Sequence, residues 1–151
     1  MLQIEASHLQ EISRHGEESY PDEGCGILLG TFEGNTRIVE SIVRCGNATG
    51  DSTRTHYAID PREVIRAQRQ GRDHGWEIVG FYHSHPDHVA QWSPTDLAEA
   101  HWIGCSYLIV AVENGKADEA RSFVLKGSVE EDKKFIQETL IVDGLSIDHQ
   151  P

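Results

Sequence analysis

Two histidines and one aspartate in the middle of the chain have the residue types and spacing of a metal site. His83 and His85 are separated by one residue, and Asp96 follows after ten intervening residues. Side chains two positions apart on an extended backbone point to the same face, so a strand that ends here brings both imidazoles together. Two neutral imidazoles and one carboxylate form the ligand set of a catalytic zinc ion whose fourth position is open to water. The pattern therefore predicts a metal-dependent hydrolytic site.

Each part of this pattern also has a simpler explanation. A His-x-His pair arises easily by chance in a chain with 9 histidines. Ser93 followed by Asp96 is the pattern of a capping box, in which both side chains satisfy free backbone groups at the start of a helix. We favour the metal site because the histidine pair and the acid at a helix start occur together with Glu23, which lies at the mouth of a predicted strand. The two interpretations of Ser93 are compatible, since its hydroxyl can cap the helix and still face the site.

The elements that must position these residues alternate between strands and helices. The histidines follow a buried strand over 79–83, which belongs to a longer strand starting at residue 77. Hydrophobic patterns predict further strands over 2–4, 25–29, 36–43, 56–59, 107–112 and 120–125. Helices are predicted from a Ser7 capping box to about residue 19, from Asp60-Pro61 to Gly75, and from Ser93-Pro94 through His101. Residues 129–142 are predicted as either an extended strand or a docking helix. This order predicts a three-layer α/β fold with a mixed sheet between helices.

Length and composition limit the classes of protein and partner. A chain of 151 residues fits one domain, which we place at residues 1–143, followed by a C-terminal tail at 144–151. The 13 Lys and Arg residues against 25 Asp and Glu residues give a formal charge of −12, which disfavours nucleic acid and anionic membranes as partners. The sequence shows no basic, apolar leader and no apolar run of membrane-spanning length. Three widely separated cysteines are expected to be free thiols, so we predict a cytoplasmic protein.

The combined motifs resemble the JAMM (MPN+) metalloprotease family. The resemblance rests on His83-Ser84-His85-Pro86, on Ser93-Pro94-Thr95-Asp96, and on Glu23 within Glu-Gly-Cys-Gly-Ile-Leu-Leu-Gly. Asn47 together with the segment Tyr57-Ala58-Ile59-Asp60-Pro61 is similar to the short prokaryotic members. The similarity extends over residues 7–125 and implies the MPN/JAB fold, a cytidine-deaminase-like arrangement of a mixed, mostly antiparallel sheet flanked by helices.

The resemblance also implies a role for each motif residue. His83, His85 and Asp96 would hold one zinc ion, Glu23 would act as the general base and then as the general acid, and Ser93 would stabilise the oxyanion. The family hydrolyses the bond after the C-terminal Gly-Gly of ubiquitin or of ubiquitin-like proteins, and short prokaryotic members resemble peptidases of sulfur-carrier proteins. The chain has no room for the segments that bind two ubiquitins, so we expect a ubiquitin-like or sulfur-carrier substrate whose tail lies along a strand edge.

Three residues near the motif are candidates for substrate contacts. Asp87 and His88 are expected at the rim of the site. Trp92 is expected either to line the entrance or to pack against the start of the helix. The sequence leaves open which carrier is cleaved, which residue is released, and whether the chain forms a homodimer.

Two other functions remain open from the sequence. Asp87 and His88 complete a His-x-His-x-Asp-His pattern, which matches the dinuclear site of metallo-β-lactamase-like hydrolases, with His101 and His149 as the later histidines. That alternative leaves Glu23 without a role. The second alternative is a protein-interaction module that keeps the residues of a hydrolase without its activity.

Overall fold

The computed structural model describes residues 1–147 of the chain. The strands are β1 Leu2–Ile4, β2 Cys25–Glu33, β3 Thr36–Cys45, β4 Glu77–Pro86, β5 Ser106–Glu113, β6 Lys116–Lys126, β7 Lys134–Glu138, β8 Leu140–Val142 and β9 Leu145–Ile147. The helices are α1 Ala6–Ser19, α2 Pro61–Arg72 and α3 Pro94–Glu99, with short 3₁₀ turns at Gly50–Ser52 and Glu130–Asp132.

All nine strands belong to one mixed sheet in the order β7-β6-β5-β4-β2-β3-β1-β8-β9. Most neighbours are antiparallel, and β1 with β3, β1 with β8, and β4 with β5 are the parallel pairs. Ile27 belongs to the buried cluster that contains Ala67 of α2, whereas the adjacent Leu28 belongs to the cluster that contains Ile12 of α1. Because neighbouring residues of a strand face opposite sides, α1 and α2 cover opposite faces of the sheet. The predicted three-layer α/β fold is confirmed.

The central strands β4 and β5 are buried along nearly their whole length. The apolar run 107–112 predicts such a strand, and the structure confirms it: Tyr107 and Ile109 pack in one cluster, and Leu108 and Val110 pack in the other. A strand covered on both faces needs apolar side chains at every position, and this explains the unbroken run. The His83–His85 motif thus lies on a buried strand that is paired with a neighbour on each side.

The helix starts differ in how well the sequence predicts them. Asp60 caps α2 by accepting from the backbone N–H of Arg62 at 2.8 Å, as predicted. The predicted Ser7 capping box is wrong: α1 begins at Ala6 after Glu5, without a side-chain cap from its own sequence. A distant residue supplies the acceptor, because the Ala6 backbone N–H donates to Asp143 Oδ1 at 2.8 Å. Tertiary structure therefore provides the acceptor that the local pattern was expected to provide.

Three other segments differ from the prediction. Residues 56–59 form no strand, because Tyr57 and Ile59 pack against the core beside α2 instead of pairing with the sheet. Helix α3 ends at Glu99, before the expected end at His101, and Ala100 already has an extended backbone. The segment 129–142 contributes β7 and β8 and contains no α-helix, so its strand alternative is the correct one.

The sheet continues into the segment that we expected to be a tail. Asp143 and Gly144 have φ of 50° and 81°, a pair of left-handed residues that suits a two-residue hairpin turn. The turn allows β9 to pair antiparallel with β8 up to Ile147. The remainder of the expected tail, residues 148–151, lies outside the described residues.

A buried ion pair joins β7 to β3 across the curl of the sheet. Glu138 Oε1 lies 2.8 Å from Arg37 Nη2, and both side chains are buried. The hydroxyls of Ser106 and Ser122 donate to Glu138 Oε2 at 2.6 and 2.7 Å. Burial opposes the charge of Glu138, but these hydrogen bonds and Arg37 outweigh it and hold the pKa of Glu138 below its ordinary value.

No helix within residues 1–147 has the length and apolar character needed to cross a membrane.

Candidate metal centre

The end of β4 carries both histidines on one face. His83 and His85 lie within β4, which extends to Pro86 and is therefore longer than predicted. His83 is paired with Cys25 of β2 on one side and with Ile109 of β5 on the other. Pairing on both sides fixes the backbone, so the two imidazoles lie close together, with their Nε2 atoms 3.1 Å apart.

The start of α3 brings Asp96 to the same point. Ser93 Oγ accepts from the Asp96 N–H at 3.1 Å, and Asp96 Oδ2 accepts from the Ser93 N–H at 2.9 Å, which completes the predicted capping box. The same oxygen lies 3.1 Å from His85 Nε2 and 3.4 Å from His83 Nε2. Asp96 therefore both caps its helix and faces the histidines, so its capping role is compatible with the predicted role as a metal ligand.

The three atoms form a triangle of the size that a metal ion requires. Zinc at 2.0–2.1 Å from tetrahedral ligands separates those ligands from one another by about 3.3 Å. The sides of the triangle formed by the two Nε2 atoms and Asp96 Oδ2 are 3.1, 3.1 and 3.4 Å. All three residues are buried. The residues thus fit a zinc ion held by three protein ligands.

The surroundings keep these groups in metal-binding forms. His85 Nδ1 donates to the carbonyl of Val89 at 2.9 Å, which leaves Nε2 with its lone pair. Burial lowers the pKa of His83, so its imidazole favours the neutral form. Burial works against the charge of Asp96, but the adjacent imidazoles of His83 and His85 and the Ser93 N–H outweigh it and hold the pKa of Asp96 well below its ordinary value, so its carboxylate is ionised. Tyr57 stacks on His83 with ring centroids 4.3 Å apart, which fixes the plane of that ring.

Glu23 joins the triangle from a distant part of the chain. Its N–H donates to the carbonyl of Thr53 at 2.7 Å, and its carbonyl accepts from the side chain of Asn47 at 3.1 Å. Each of Glu23, His83, His85 and Asp96 offers a ligand atom within 4.8 Å of the others. Glu23 Oε1 is buried and has no hydrogen-bond partner among the described residues.

The local environment of Glu23 makes its carboxyl group a weaker acid than usual. Burial raises the pKa of Glu23 to about 8, against a smaller opposing effect from His85. A carboxyl group with a pKa near neutrality can exchange a proton in both directions, which is the property of a general acid–base group.

Two cavities lie near the cluster: Glu23 and His85 line one of them, and Tyr57, which stacks on His83, lines the other. The first, which we call the Glu23 cavity, has a volume of about 420 Å³. Its lining includes Glu23, His85, His88, Trp92, Ser93, Arg54 and His56. The second, the Tyr57 cavity, has a volume of about 310 Å³. Its lining is mainly aromatic and aliphatic and includes Tyr57, Ile59, Val64, Phe81, Trp102 and Tyr107. The two cavities thus differ in their side chains: most residues that line the Tyr57 cavity are aromatic or aliphatic, and Arg54 lines only the Glu23 cavity.

The candidate substrate residues occupy different positions. His88 and Trp92 line the Glu23 cavity, and Trp92 also packs against Phe135 with ring centroids 5.7 Å apart. Asp87 does not line that cavity. Its carboxylate accepts from Tyr20 Oη at 2.7 Å and from the Asn114 N–H at 2.8 Å, and thereby anchors the loop after β4.

Nothing in this geometry favours the dinuclear alternative. The carboxylate of Asp87 is bonded to Tyr20 and to the Asn114 N–H rather than to His83 or His85, and the later histidine of that pattern within the described residues, His101, is exposed. His149 lies outside the described residues. Cys25, Cys45 and Cys105 are buried, free thiols, as expected.

Sequence reasoning missed several residues of the site. Arg54 and His56 follow a polar, glycine-containing stretch, in which no periodicity indicates the direction of a side chain. Tyr57 belonged to a predicted strand and proves to be the residue that stacks on His83. The resemblance of segment 57–61 to short prokaryotic family members was the signal that could have identified Tyr57.

Comparison with known proteins agrees with this geometry. A family described as prokaryotic homologues of the JAB domain matches residues 5–126. The chain belongs to the JAB-domain family. The desampylase of Haloferax volcanii is 33% identical over 112 residues, which are 72% of this chain and 78% of the relative. The CysO-cysteine peptidase of Mycobacterium tuberculosis H37Rv is 31% identical over 133 residues, which are 87% of this chain and 88% of the relative.

Solved structures show the same JAB fold. A protein from Desulfitobacterium hafniense matches with a TM-score of 0.80 and 31% identity, over 95% of this chain and 93% of that chain. A JAB1/MPN domain protein from Archaeoglobus fulgidus matches with a TM-score of 0.57 and 15% identity, over 94% of this chain and 96% of that chain. The predicted family and fold are therefore both confirmed.

Proposed function

We propose that this JAB-domain protein is a zinc-dependent peptidase or isopeptidase that hydrolyses the bond after the C-terminal Gly-Gly of a ubiquitin-like or sulfur-carrier protein. The observation that carries the proposal is that the carboxylate of Glu23 lies beside the triangle formed by His83, His85 and Asp96. A scaffold protein has no need for a buried carboxyl oxygen without a partner beside two imidazoles and a carboxylate.

His83, His85 and Asp96 would hold the zinc ion. When bound, zinc supplies Lewis acidity, which lowers the pKa of water and polarises the carbonyl of the scissile bond. Glu23 takes the proton from the attacking water, and the raised pKa of its carboxyl group suits it to hold that proton. Glu23 then gives the proton to the leaving amine, so one residue serves both halves of the reaction.

Ser93 is suited to stabilise the negative charge that develops on the carbonyl oxygen. Its Oγ accepts from the Asp96 N–H, which uses a lone pair and leaves the hydroxyl proton free to donate. Ser93 also lines the Glu23 cavity, so that proton can point toward the reacting carbonyl. A donor aimed at this oxygen lowers the barrier because the charge appears only in the transition state.

The names of the relatives support the class of substrate. One relative is a desampylase, one is a peptidase of CysO-cysteine, and a protein of Thermus thermophilus is a probable protease that cleaves TtuB-protein conjugates. We propose that the Tyr57 cavity receives apolar residues of the carrier tail and that segment 56–60, which lies outside the sheet, offers it backbone groups. The buried free cysteines fit a reducing compartment, and we propose a cytoplasmic location.

The test uses a carrier protein that ends in Gly-Gly and is extended beyond that end. Purified protein loaded with zinc is expected to release the extension, to lose activity when a chelator removes the metal, and to regain it when zinc is restored. Hydrolysis that is unaffected by complete removal of the metal would contradict the mechanism. Inertness toward every extended carrier, with zinc bound, would favour the interaction module.

A further inference from the structure

Besides His85, the Glu23 cavity is lined by three basic side chains, Arg54, His56 and His88. This is unusual in a chain with a formal charge of −12. The lining of the neighbouring Tyr57 cavity includes His101 and Glu99 but no lysine or arginine, so Arg54 is the charged group that distinguishes the two cavities. The two sides of the reaction centre therefore differ in the charge of the groups that they can receive.

The position of Glu23 indicates which part of the substrate enters which cavity. This step rests on the proposed function, in which Glu23 gives a proton to the leaving amine. A proton transfer requires hydrogen-bond distance, so the leaving amine must lie beside Glu23. Glu23 lines the Glu23 cavity and not the Tyr57 cavity. The leaving group consequently occupies the cavity with the basic side chains, and the carrier tail lies on the other side.

Arg54 is the permanently charged group of this cavity and is available to a ligand. Its side chain is exposed and forms no hydrogen bond or ion pair with the residues whose side chains the structure describes. Asp87 interacts electrostatically with Arg54, but its carboxylate already accepts from Tyr20 and from the Asn114 N–H, and Glu23 lines the same cavity. A guanidinium presents a planar fork of donors that matches a carboxylate.

The backbone around Arg54 is held by the same contacts that hold Glu23. The carbonyl of Thr53 accepts from the Glu23 N–H at 2.7 Å, and the hydroxyl of Thr53 donates to Asp22 Oδ1 at 2.8 Å. On the other side, the Thr55 N–H donates to the carbonyl of Ser52 at 3.2 Å. The guanidinium is therefore carried by a loop that is fixed relative to the proposed general base.

We propose that Arg54 binds a carboxylate at the end of the leaving group and so determines the specificity of the enzyme. The preferred substrate is then a carrier extended by one amino acid, or by a very short peptide, with a free C-terminal carboxylate. A carrier joined to a lysine side chain within another protein offers no carboxylate at this position and is a poorer substrate.

The test compares two substrates that differ only in this carboxylate. A Gly-Gly carrier is extended by one alanine, either as the free acid or as the carboxamide, and kcat/KM is measured for the zinc-loaded protein. The acid is expected to be cleaved about tenfold to a hundredfold better, the ratio typical of hydrogen bonds to a charged group. Arg54→Gln is expected to remove this preference, because cleavage of the acid falls toward that of the amide. Arg69→Gln, which removes the same charge from an exposed position on α2, is the matched control and is expected to keep the preference.

A second measurement does not depend on turnover. Equilibrium binding of the acid and of the amide to zinc-loaded Glu23→Gln is expected to show the same preference, and the Arg54→Gln change in that background is expected to abolish it. Carriers extended by two alanines show which length places the carboxylate at Arg54, and a preference for the acid at either length supports the assignment.

The outcomes separate this inference from the proposed function. Equal cleavage of acid and amide by the wild type, or an equal loss for both substrates in Arg54→Gln, would overturn the role of Arg54 and leave the hydrolase intact. Failure to cleave either substrate with zinc bound would overturn the proposed function, and the role of Arg54 would fall with it.

Discussion

Replacement of Asp96 by asparagine tests the metal centre most directly. Asp96 Oδ2 lies 3.1 and 3.4 Å from the two Nε2 atoms, so the substitution removes the negative charge that faces a bound cation. Replacement of residues that only orient a metal ligand lowers affinity about 10- to 100-fold. Loss of the charge of a ligand itself should therefore lower zinc affinity at least about 100-fold, or about 2.7 kcal/mol.

The same substitution should have little effect on folding. An asparagine carbonyl oxygen at position 96 can still accept from the Ser93 N–H, which Asp96 Oδ2 now accepts at 2.9 Å. We therefore expect the helix cap to lose less than about 1 kcal/mol. If Asp96→Asn lowers zinc affinity without a comparable fall in the free energy of unfolding, Asp96 is a metal ligand and not only a capping residue.

Asp87→Asn is the matched control. Asp87 also accepts a backbone N–H, and its φ of 58° is one that asparagine tolerates, but its carboxylate is bonded to Tyr20 and Asn114. The assay measures zinc per chain after purification without chelators, and the dissociation constant by competition with a coloured chelator. We expect about one zinc ion in the wild type and in Asp87→Asn, and weakened binding in Asp96→Asn. Unchanged affinity in Asp96→Asn would refute the ligand assignment, and two metal ions sensitive to Asp87 would revive the dinuclear alternative.

Three further predictions concern the base, the oxyanion donor and the buried ion pair. Glu23→Gln should keep zinc and lower kcat about 10²- to 10⁴-fold, because the amide cannot take the proton of water. Ser93→Ala should lower kcat about 10²- to 10³-fold, measured on the extended carrier. Glu138→Leu should lower the free energy of unfolding in urea by about 3–5 kcal/mol, because it leaves Arg37 buried without its partner. The pKa of Glu138 is lowered in the fold from 4.5, so wild-type stability should decline as the pH falls below about 4.5, and this decline should be smaller in the variant.

Matched variants distinguish these effects from general damage. Ser93→Thr keeps both the cap and a hydroxyl and should retain most of the activity that Ser93→Ala loses. Glu131→Leu removes an exposed carboxylate and should change the free energy of unfolding by less than about 0.5 kcal/mol. Full activity in Glu23→Gln would remove the proposed base, and equal destabilisation by the two glutamate variants would contradict the importance of the buried ion pair.

The parts of the site that the sequence predicts are those set by short-range geometry. His83 and His85 share a face because the side-chain period of a strand is two residues, and this holds wherever the strand lies in the fold. Ser93 and Asp96 meet because they occupy the first turn of a helix. Each pair depends only on the local backbone, so residue type and spacing were sufficient to identify it.

The segments that the sequence mispredicted are those whose conformation depends on distant partners. The first helix takes its N-terminal acceptor from Asp143, which lies 137 residues away. Residues 56–59 have the composition of a strand, but Tyr57 packs on His83 and leaves the segment outside the sheet. The strand propensity of these residues contributes less free energy than the burial of an aromatic ring. The contact of Tyr57 with His83 therefore determines the backbone conformation of this segment.

The sequence by itself determined the type of chemistry: a histidine pair, a capping acid and an upstream glutamate, with a family resemblance that joins them. Only the tertiary structure decided how these parts meet and what surrounds them. The sheet pairs Cys25 with His83 and thereby brings Glu23 close to His83, His85 and Asp96, each of which offers an atom within 4.8 Å of the others. The same fold places Arg54 in the lining of the Glu23 cavity and apolar rings in the lining of the Tyr57 cavity. Pairing between distant strands sets these distances, and the spacing of residues along the chain contains no information about which strands will be neighbours.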